Sequence, residues 1–170
     1  MVKAMTWLGD QQDTMFLGQA VAVPGTGMFN TLKGVSDSKR LELPVFEETQ
    51  MGMSIGLSLT GKIPISIYPR WNFLLCAVNQ LVNHLDVMPD FSHGEYLPKV
   101  IIRTSVGSER PLHPQAQHVG DFSDAFNSML KRTEVKVLSE PSQIVDSYKK
   151  AYDSEHSTVL VEYGDYYNEK

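Results

Sequence analysis

The chain has 170 residues, 42% hydrophobic and 21% charged, with 15 Lys+Arg against 20 Asp+Glu for a formal charge of -5. That length fits one domain, the balance excludes wholesale disorder and fibrous repeats, and mild acidity gives no global pull on nucleic acid or anionic lipid. The single cysteine, Cys76, excludes an intrachain disulfide and a multi-cysteine zinc site, and it fits a reducing cytoplasm. Residues 1–10 have no long apolar core, so no signal peptide is read. The apolar stretches fall far short of the roughly 18 residues of a membrane helix.

The elements alternate between two periods. Met15-Phe16-Leu17 forms a short buried strand ending at Gly18, and the Gly/Pro-rich stretch 19–34 is a loop with a short helix over 28–33. Residues 41–46 are a second strand, with Pro44 against a central position. Met51, Ile55 and Leu59 at four-residue steps predict a helix over 50–60, stopped by Gly61. Gly52, Ser54, Gly56 and Ser58 give that helix a face without bulk. Such a face suits tight helix–helix packing or the close approach of a ligand or second backbone.

Ile63, Ile65 and Ile67 alternate in a strand over 63–68, and an apolar stripe marks a helix over 73–85. Val100-Ile101-Ile102 reads as a strand covered on both faces. The segment 107–120, with Arg110-Pro111 and His113-Pro114, is irregular. A helix over 122–130, a strand over 135–138, a helix opened by Pro141, and a strand over 158–161 follow. The polar tail 164–170 is expected to fray. Strands separated by helices predict a three-layer α/β/α fold with a mostly parallel sheet, and ligands in such folds sit at the carboxyl ends of the strands.

Several residues at those ends invite chemistry. Glu47-Glu48 follows the second strand and precedes the small-residue helix, where the helix dipole alone accounts for acidic residues; the same place suits a carboxylate aimed into a cleft. Arg70-Trp71-Asn72-Phe73 is either a helix start with aromatic anchors or a shelf for a flat ligand. His113, His118 and Asp121 match no strong metal spacing, and no metal site is assigned. Cys76, on an apolar helix, reads as a small core residue. Neither a P-loop nor a dinucleotide fingerprint is present.

The stretch from Glu47 to Pro64, EETQMGMSIGLSLTGKIP, continuing ungapped through Phe73 and Ala77-Val78-Asn79-Gln80-Leu81-Val82-Asn83, resembles the pyrimidine-binding (PYR) domain of thiamine diphosphate enzymes. Within the transketolase-like superfamily it is most similar to the beta subunit of the 2-oxoacid (pyruvate, branched-chain, acetoin) dehydrogenase first component. Looser similarity, through Phe16-Leu17-Gly18-Gln19, Arg103-Thr104, Pro114-Gln115-Ala116-Gln117-His118 and the last strands, extends it to about residues 13–163 of a single 1–170 domain.

The resemblance implies that Glu47 hydrogen-bonds N1′ of the aminopyrimidine and favours the imino tautomer, whose 4′-imino group takes the thiazolium C2 proton. It implies that Phe73 stacks on that ring and that His118 lies at the substrate end. Glu48 is the rival to Glu47. Gln19-Ala20 stands where the family has acidic residues, and Cys76 replaces a polar position. The family's second beta-subunit domain and its diphosphate domain are not in this sequence, so the resemblance implies half of a cofactor site. A diphosphate-binding, alpha-type partner chain would hold diphosphate and magnesium in a homo- or hetero-oligomer acting on a 2-oxoacid or sugar-like substrate, by decarboxylation or aldehyde/acyl transfer. Gly52 and Gly56 are the candidate subunit contact. The alternatives are a non-catalytic scaffold subunit that kept the fold and, more remotely, a metal- or flavin-binding α/β module.

Overall fold

The computed structural model describes residues 1–107 and 113–168. The elements are α1 Val2–Asp10, β1 Thr14–Gly18, α2 Gly27–Asn30, β2 Arg40–Glu42, α3 Glu47–Leu59, β3 Ile63–Ile67, α4 Trp71–Leu74, α5 Val78–Gln80, α6 Met88–Phe91, β4 Ile101–Val106, α7 Ser123–Met129, β5 Glu134–Val137, α8 Ile144–Asp153 and β6 Thr158–Tyr163. The six strands form one sheet in the order β2-β1-β3-β4-β6-β5, and every pairing is parallel.

Parallel strands need crossover connections, and these cover both faces with helices. On one face α1 and α8 bury Met5, Leu8 and Tyr148 against Phe16, Ile65 and Leu160. On the other, Met51 and Ile55 of α3, Trp71 and Leu81 of the next helical stretch, and Phe126 of α7 pack on Ile102 and Val159. Each large side chain so buried contributes about 1.5–3 kcal/mol. The alternation of β3 divides its side chains between layers. Ile65 and Ile67 enter the first core, while Ser66 faces α3 and accepts from Gln50 Nε2 (3.1 Å) and Ser54 Oγ (3.0 Å).

Pro64 lies in a central strand, where a missing N–H ordinarily breaks a ladder. Ile63 N donates to Asp13 O toward β1, and Tyr68 N donates to Arg103 O toward β4, both at 2.9 Å. The alternation therefore turns the Pro64 nitrogen toward β4, where pairing begins only at Ile65↔Ile101. No ladder bond is lost.

Other expectations shift. The strand over 41–46 is only Arg40–Glu42, at the sheet edge, because Pro44 cannot extend the ladder. Helix α3 starts three residues earlier than expected, so Glu47 and Glu48 lie in its first turn. It ends at Gly61 (φ +86), where Lys62 N caps Leu57 O at 3.2 Å. The single helix expected over 73–85 is a path of changing pitch: α4, a 3₁₀ turn at Leu75–Ala77, α5, then a π turn at Leu81–Leu85 closed by Asp86 N→Leu81 O at 2.9 Å. Cys76 is exposed rather than in the core.

The tail does not fray over Gly164–Asn168, which forms a 3₁₀ helix with the Tyr167 hydroxyl donating to buried Glu162. Arg110-Pro111 and residues 169–170 lie outside the described residues. Among the described residues, nothing packs tightly against Gly52 or Gly56. A Cβ on Gly56 would meet nothing within 4 Å, and one on Gly52 only Gln80 Oε1 at 3.9 Å.

Candidate functional site

The sheet topology places a crevice before any side chain is considered. The connection after β1 packs Met28 and Leu32 on the face of α1 and α8. The helices before and after β3 pack on the opposite face. Chains leaving adjacent β1 and β3 toward opposite faces open a crevice at the carboxyl ends of the strands. At its floor the two strands approach too closely for a side chain: a Cβ on Gly18 (φ +139) would lie 2.2 Å from Ile67 O and 2.8 Å from Gln50 Nε2.

Glu47 is carried to this crevice by the first turn of α3. The Tyr68 hydroxyl, at the end of β3, donates to the Glu47 carbonyl (3.2 Å), and Gln50 Nε2 donates to Ile67 O (2.9 Å). These bonds lock the helix start onto the strand end. The Glu47 residue is 8% exposed. Gln19 Nε2, just beyond Gly18, donates to its Oε1 at 3.1 Å, and no other hydrogen bond reaches the carboxylate among the described residues. Glu48 is directed elsewhere: it is exposed and accepts from Asn79 Nδ2 at 3.0 Å.

The aromatic segment after β3 divides its work. Trp71 is fully buried, 4.6 Å from Phe126 between ring centroids, and is a core anchor. Phe73 is half-buried and its ring lies 5.4 Å from that of His118. Arg70 Nη1 donates to the His118 carbonyl at 3.2 Å, tying the loop after β4 to the loop after β3, and burial lowers the Arg70 pKa. The Gln115 N–H donates to His113 Nδ1 at 3.0 Å within a turn whose Gln115 has φ 61. His113 thus shapes the loop that presents His118. Asp121 Oδ1 accepts from Ser123 N at 2.9 Å and serves the start of α7. No three His, Cys, Asp or Glu residues come together as metal ligands among the described residues.

Buried polar atoms of this region without a hydrogen-bond partner among the described residues include Gln50 Oε1, Trp71 Nε1, Asn72 Oδ1 and His118 Nδ1. Buried polar atoms are ordinarily satisfied. In kind, these atoms, the Glu47 carboxylate and the Phe73 ring are groups that a flat, nitrogen-containing ligand would take. A cavity of about 210 Å³ lies elsewhere, lined by Leu138, Pro141, Ile144, Tyr163, Tyr166 and Tyr167 among others, and none of Glu47, Phe73 or His118 lines it.

Gln19 and Arg70 are the partners that reasoning on sequence did not assign to Glu47 and His118. Their one signal was position, Gln19 directly after β1 and Arg70 three residues after the end of β3. Among the described residues no helix is long and apolar enough to cross a membrane.

No family model matches the chain. It is 30% identical over 148 residues to the pyruvate dehydrogenase E1 component subunit beta-3, chloroplastic, of Arabidopsis thaliana. That match covers 85% of this chain but only 36% of the relative. Among solved structures, a split-gene transketolase described as an inactive beta4 tetramer superposes with a TM-score of 0.74 at 21% identity, covering 96% of this chain and 49% of that one. A thiamine diphosphate-dependent 4-hydroxybenzoylformate decarboxylase from Rhodococcus jostii superposes with a TM-score of 0.68 at 14% identity, covering 98% of this chain and 30% of that one.

Proposed function

From a chain with the pyrimidine-domain fold of the transketolase-like superfamily, whose sequence relatives are pyruvate dehydrogenase beta subunits, we propose a subunit that binds the aminopyrimidine half of thiamine diphosphate. The observation that carries this is the Glu47 carboxylate. It is buried at the β1/β3 crevice with one oxygen held by Gln19 and the other without a hydrogen bond among the described residues. In this reading the second oxygen shares a proton with ring nitrogen N1′, and Gln19 fixes the carboxylate's orientation. Phe73 covers a face of the flat ring. His118 holds or moves a proton on a substrate oxygen through Nδ1, which is buried and without a hydrogen-bond partner among the described residues. Thiamine diphosphate, when bound, supplies the electron sink for breaking a bond beside a carbonyl.

The diphosphate and magnesium fall to an alpha-type partner chain, in a homo- or hetero-oligomer with the open face of Gly52 and Gly56 as the contact. The substrate class is a 2-oxoacid or a sugar-like carbonyl compound, with decarboxylation or aldehyde/acyl transfer as the reaction, which makes the assembly an oxidoreductase or a transferase. The cytoplasm is the proposed compartment, on the strength of the single exposed cysteine. The test is reconstitution with a chain carrying a Gly-Asp-Gly…Asn diphosphate motif. Mixing is expected to create cofactor binding and turnover absent from either chain, and Glu47→Ala to lower turnover by about 10²–10⁴-fold. Full activity in Glu47→Ala, or no gain on mixing, leaves a scaffold subunit as the better reading.

A further inference from the structure

We propose that Glu42 is a positioning residue of this site: its carboxylate plugs the backbone nest of residues 20–23 and thereby sets Gln19 against Glu47. Four successive backbone N–H groups donate to one side chain. Ala20 N reaches Oε1 at 2.8 Å, and Val21, Ala22 and Val23 N reach Oε2 at 2.8, 2.6 and 3.2 Å. Consecutive N–H groups converging on one point form an anion-binding concavity. Here the anion is the chain's own.

The fold delivers it. The β1–β2 register sets Gly18 opposite Glu42, and Leu43 N donates to Gly18 O at 2.9 Å, so the edge strand ends beside the turn it must hold. The turn needs holding. Ala20 sits at φ 56, a left-handed conformation unfavourable for a residue with a Cβ. Beyond it, Val21 is buried but Ala22, Val23, Pro24 and Gly25 are exposed. Gln19 is the residue directly before the strained position, and its side chain makes the one hydrogen bond to the Glu47 carboxylate among the described residues. Releasing Ala20 therefore releases Gln19.

No ion pair to Glu42 exists among the described residues. Its surroundings are the four amides. Burial raises its pKa, the amide bonds outweigh that, and the carboxyl is held below its ordinary value. The nest is accordingly filled at neutral pH and empties as pH falls through that lowered value.

The consequence for the cofactor rests on the reading of Glu47 above, whereas the consequence for the loop does not, and the experiment separates them. Amide exchange of residues 20–23 and the Gln19 side-chain amide resonance are followed by NMR in wild type, Glu42→Gln and Glu42→Gln/Ala20→Gly. Thiamine diphosphate affinity is measured in the reconstituted assembly. Glu42→Gln is expected to speed exchange at 20–23 at least tenfold, to shift the Gln19 resonance, and to weaken cofactor binding about tenfold. Ala20→Gly, which removes the strain, is expected to restore part of all three.

Wild-type protection should fall at acid pH through the lowered Glu42 value, and the Glu42→Gln profile should be flat. Unchanged exchange and an unchanged Gln19 resonance overturn the proposal, as does full cofactor affinity in Glu42→Gln when Glu47→Ala loses it. A released loop with neither variant affecting the cofactor upholds the positioning of Gln19 and overturns the role of Glu47. If Glu42→Gln does not fold, the wild-type profile decides: protection at 20–23 that persists below the lowered value overturns the proposal.

Discussion

Removing the Glu162 carboxylate should be among the most damaging single changes in the core. Arg103 on β4 and Glu162 on β6 form a bidentate pair, Nε–Oε1 at 2.7 Å and Nη2–Oε2 at 2.9 Å, with both side chains almost wholly buried. The Tyr148 and Tyr167 hydroxyls also donate to this carboxylate, and Arg103 Nη1 has no partner among the described residues. In Glu162→Ala the guanidinium stays buried without its counter-charge, which costs about 3–5 kcal/mol. Against a domain stability of about 5–15 kcal/mol and a urea m-value of about 2 kcal/mol/M, the midpoint should drop by roughly 2 M. The double variant Arg103→Met/Glu162→Gln removes the orphaned charge and keeps an acceptor for the tyrosines. It should cost under about 2 kcal/mol. A loss below about 1 kcal/mol in Glu162→Ala, or an equal loss in the double variant, would refute the assignment of the cost to an unpaired arginine.

Gly18→Ala places a methyl 2.2 Å from Ile67 O and should destabilise by about 3 kcal/mol or more through strain and overpacking, read by urea unfolding; a near-neutral result would contradict the close β1–β3 approach. Asp86 accepts backbone N–H bonds from Lys131, Arg132 and Thr133 at 2.7–3.0 Å. Burial raises its pKa, but these bonds outweigh it and leave the group below its ordinary value. Its stabilisation is thus full above a pH of about 4 and is lost as pH falls through the lowered value. Asp86→Asn should cost about 1–3 kcal/mol at neutral pH and flatten the acid limb of stability against pH; an unchanged limb sinks the point. Gly56→Ala should stabilise the isolated chain by about 0.5–1 kcal/mol, as an exposed helical glycine does, yet weaken association about tenfold by ultracentrifugation; unweakened association would move the contact off that face.

The strands and α3 were legible in the sequence because burial imposes a period. Ile63, Ile65 and Ile67 share one face, and Val100-Ile101-Ile102 announced a doubly covered strand. Helix α1 was not, since its nine residues bury only Ala4, Met5 and Leu8 and offer too few turns for a periodic signal. The changing pitch over 71–85 and the exposure of Cys76 depend on how that segment meets α3 and the sheet, which no local pattern records. At the candidate site, Glu47, Phe73 and His118 are named through the resemblance of their surrounding motifs to a known family. The hydrogen bond from Gln19 to Glu47 joins residues 28 apart, and the nest on Glu42 joins residues 19–22 apart. Contacts between a loop and a later strand or helix have no period, so only the folded backbone displays them.

The central claim concerns one carboxylate and one flat ring. The most direct measurement is a crystal structure of the reconstituted assembly with thiamine diphosphate. It should place the aminopyrimidine N1′ within about 2.6–3.2 Å of a Glu47 carboxylate oxygen, with the Phe73 ring over the pyrimidine. A pyrimidine held by Glu48, or bound away from the β1/β3 crevice, would contradict the account.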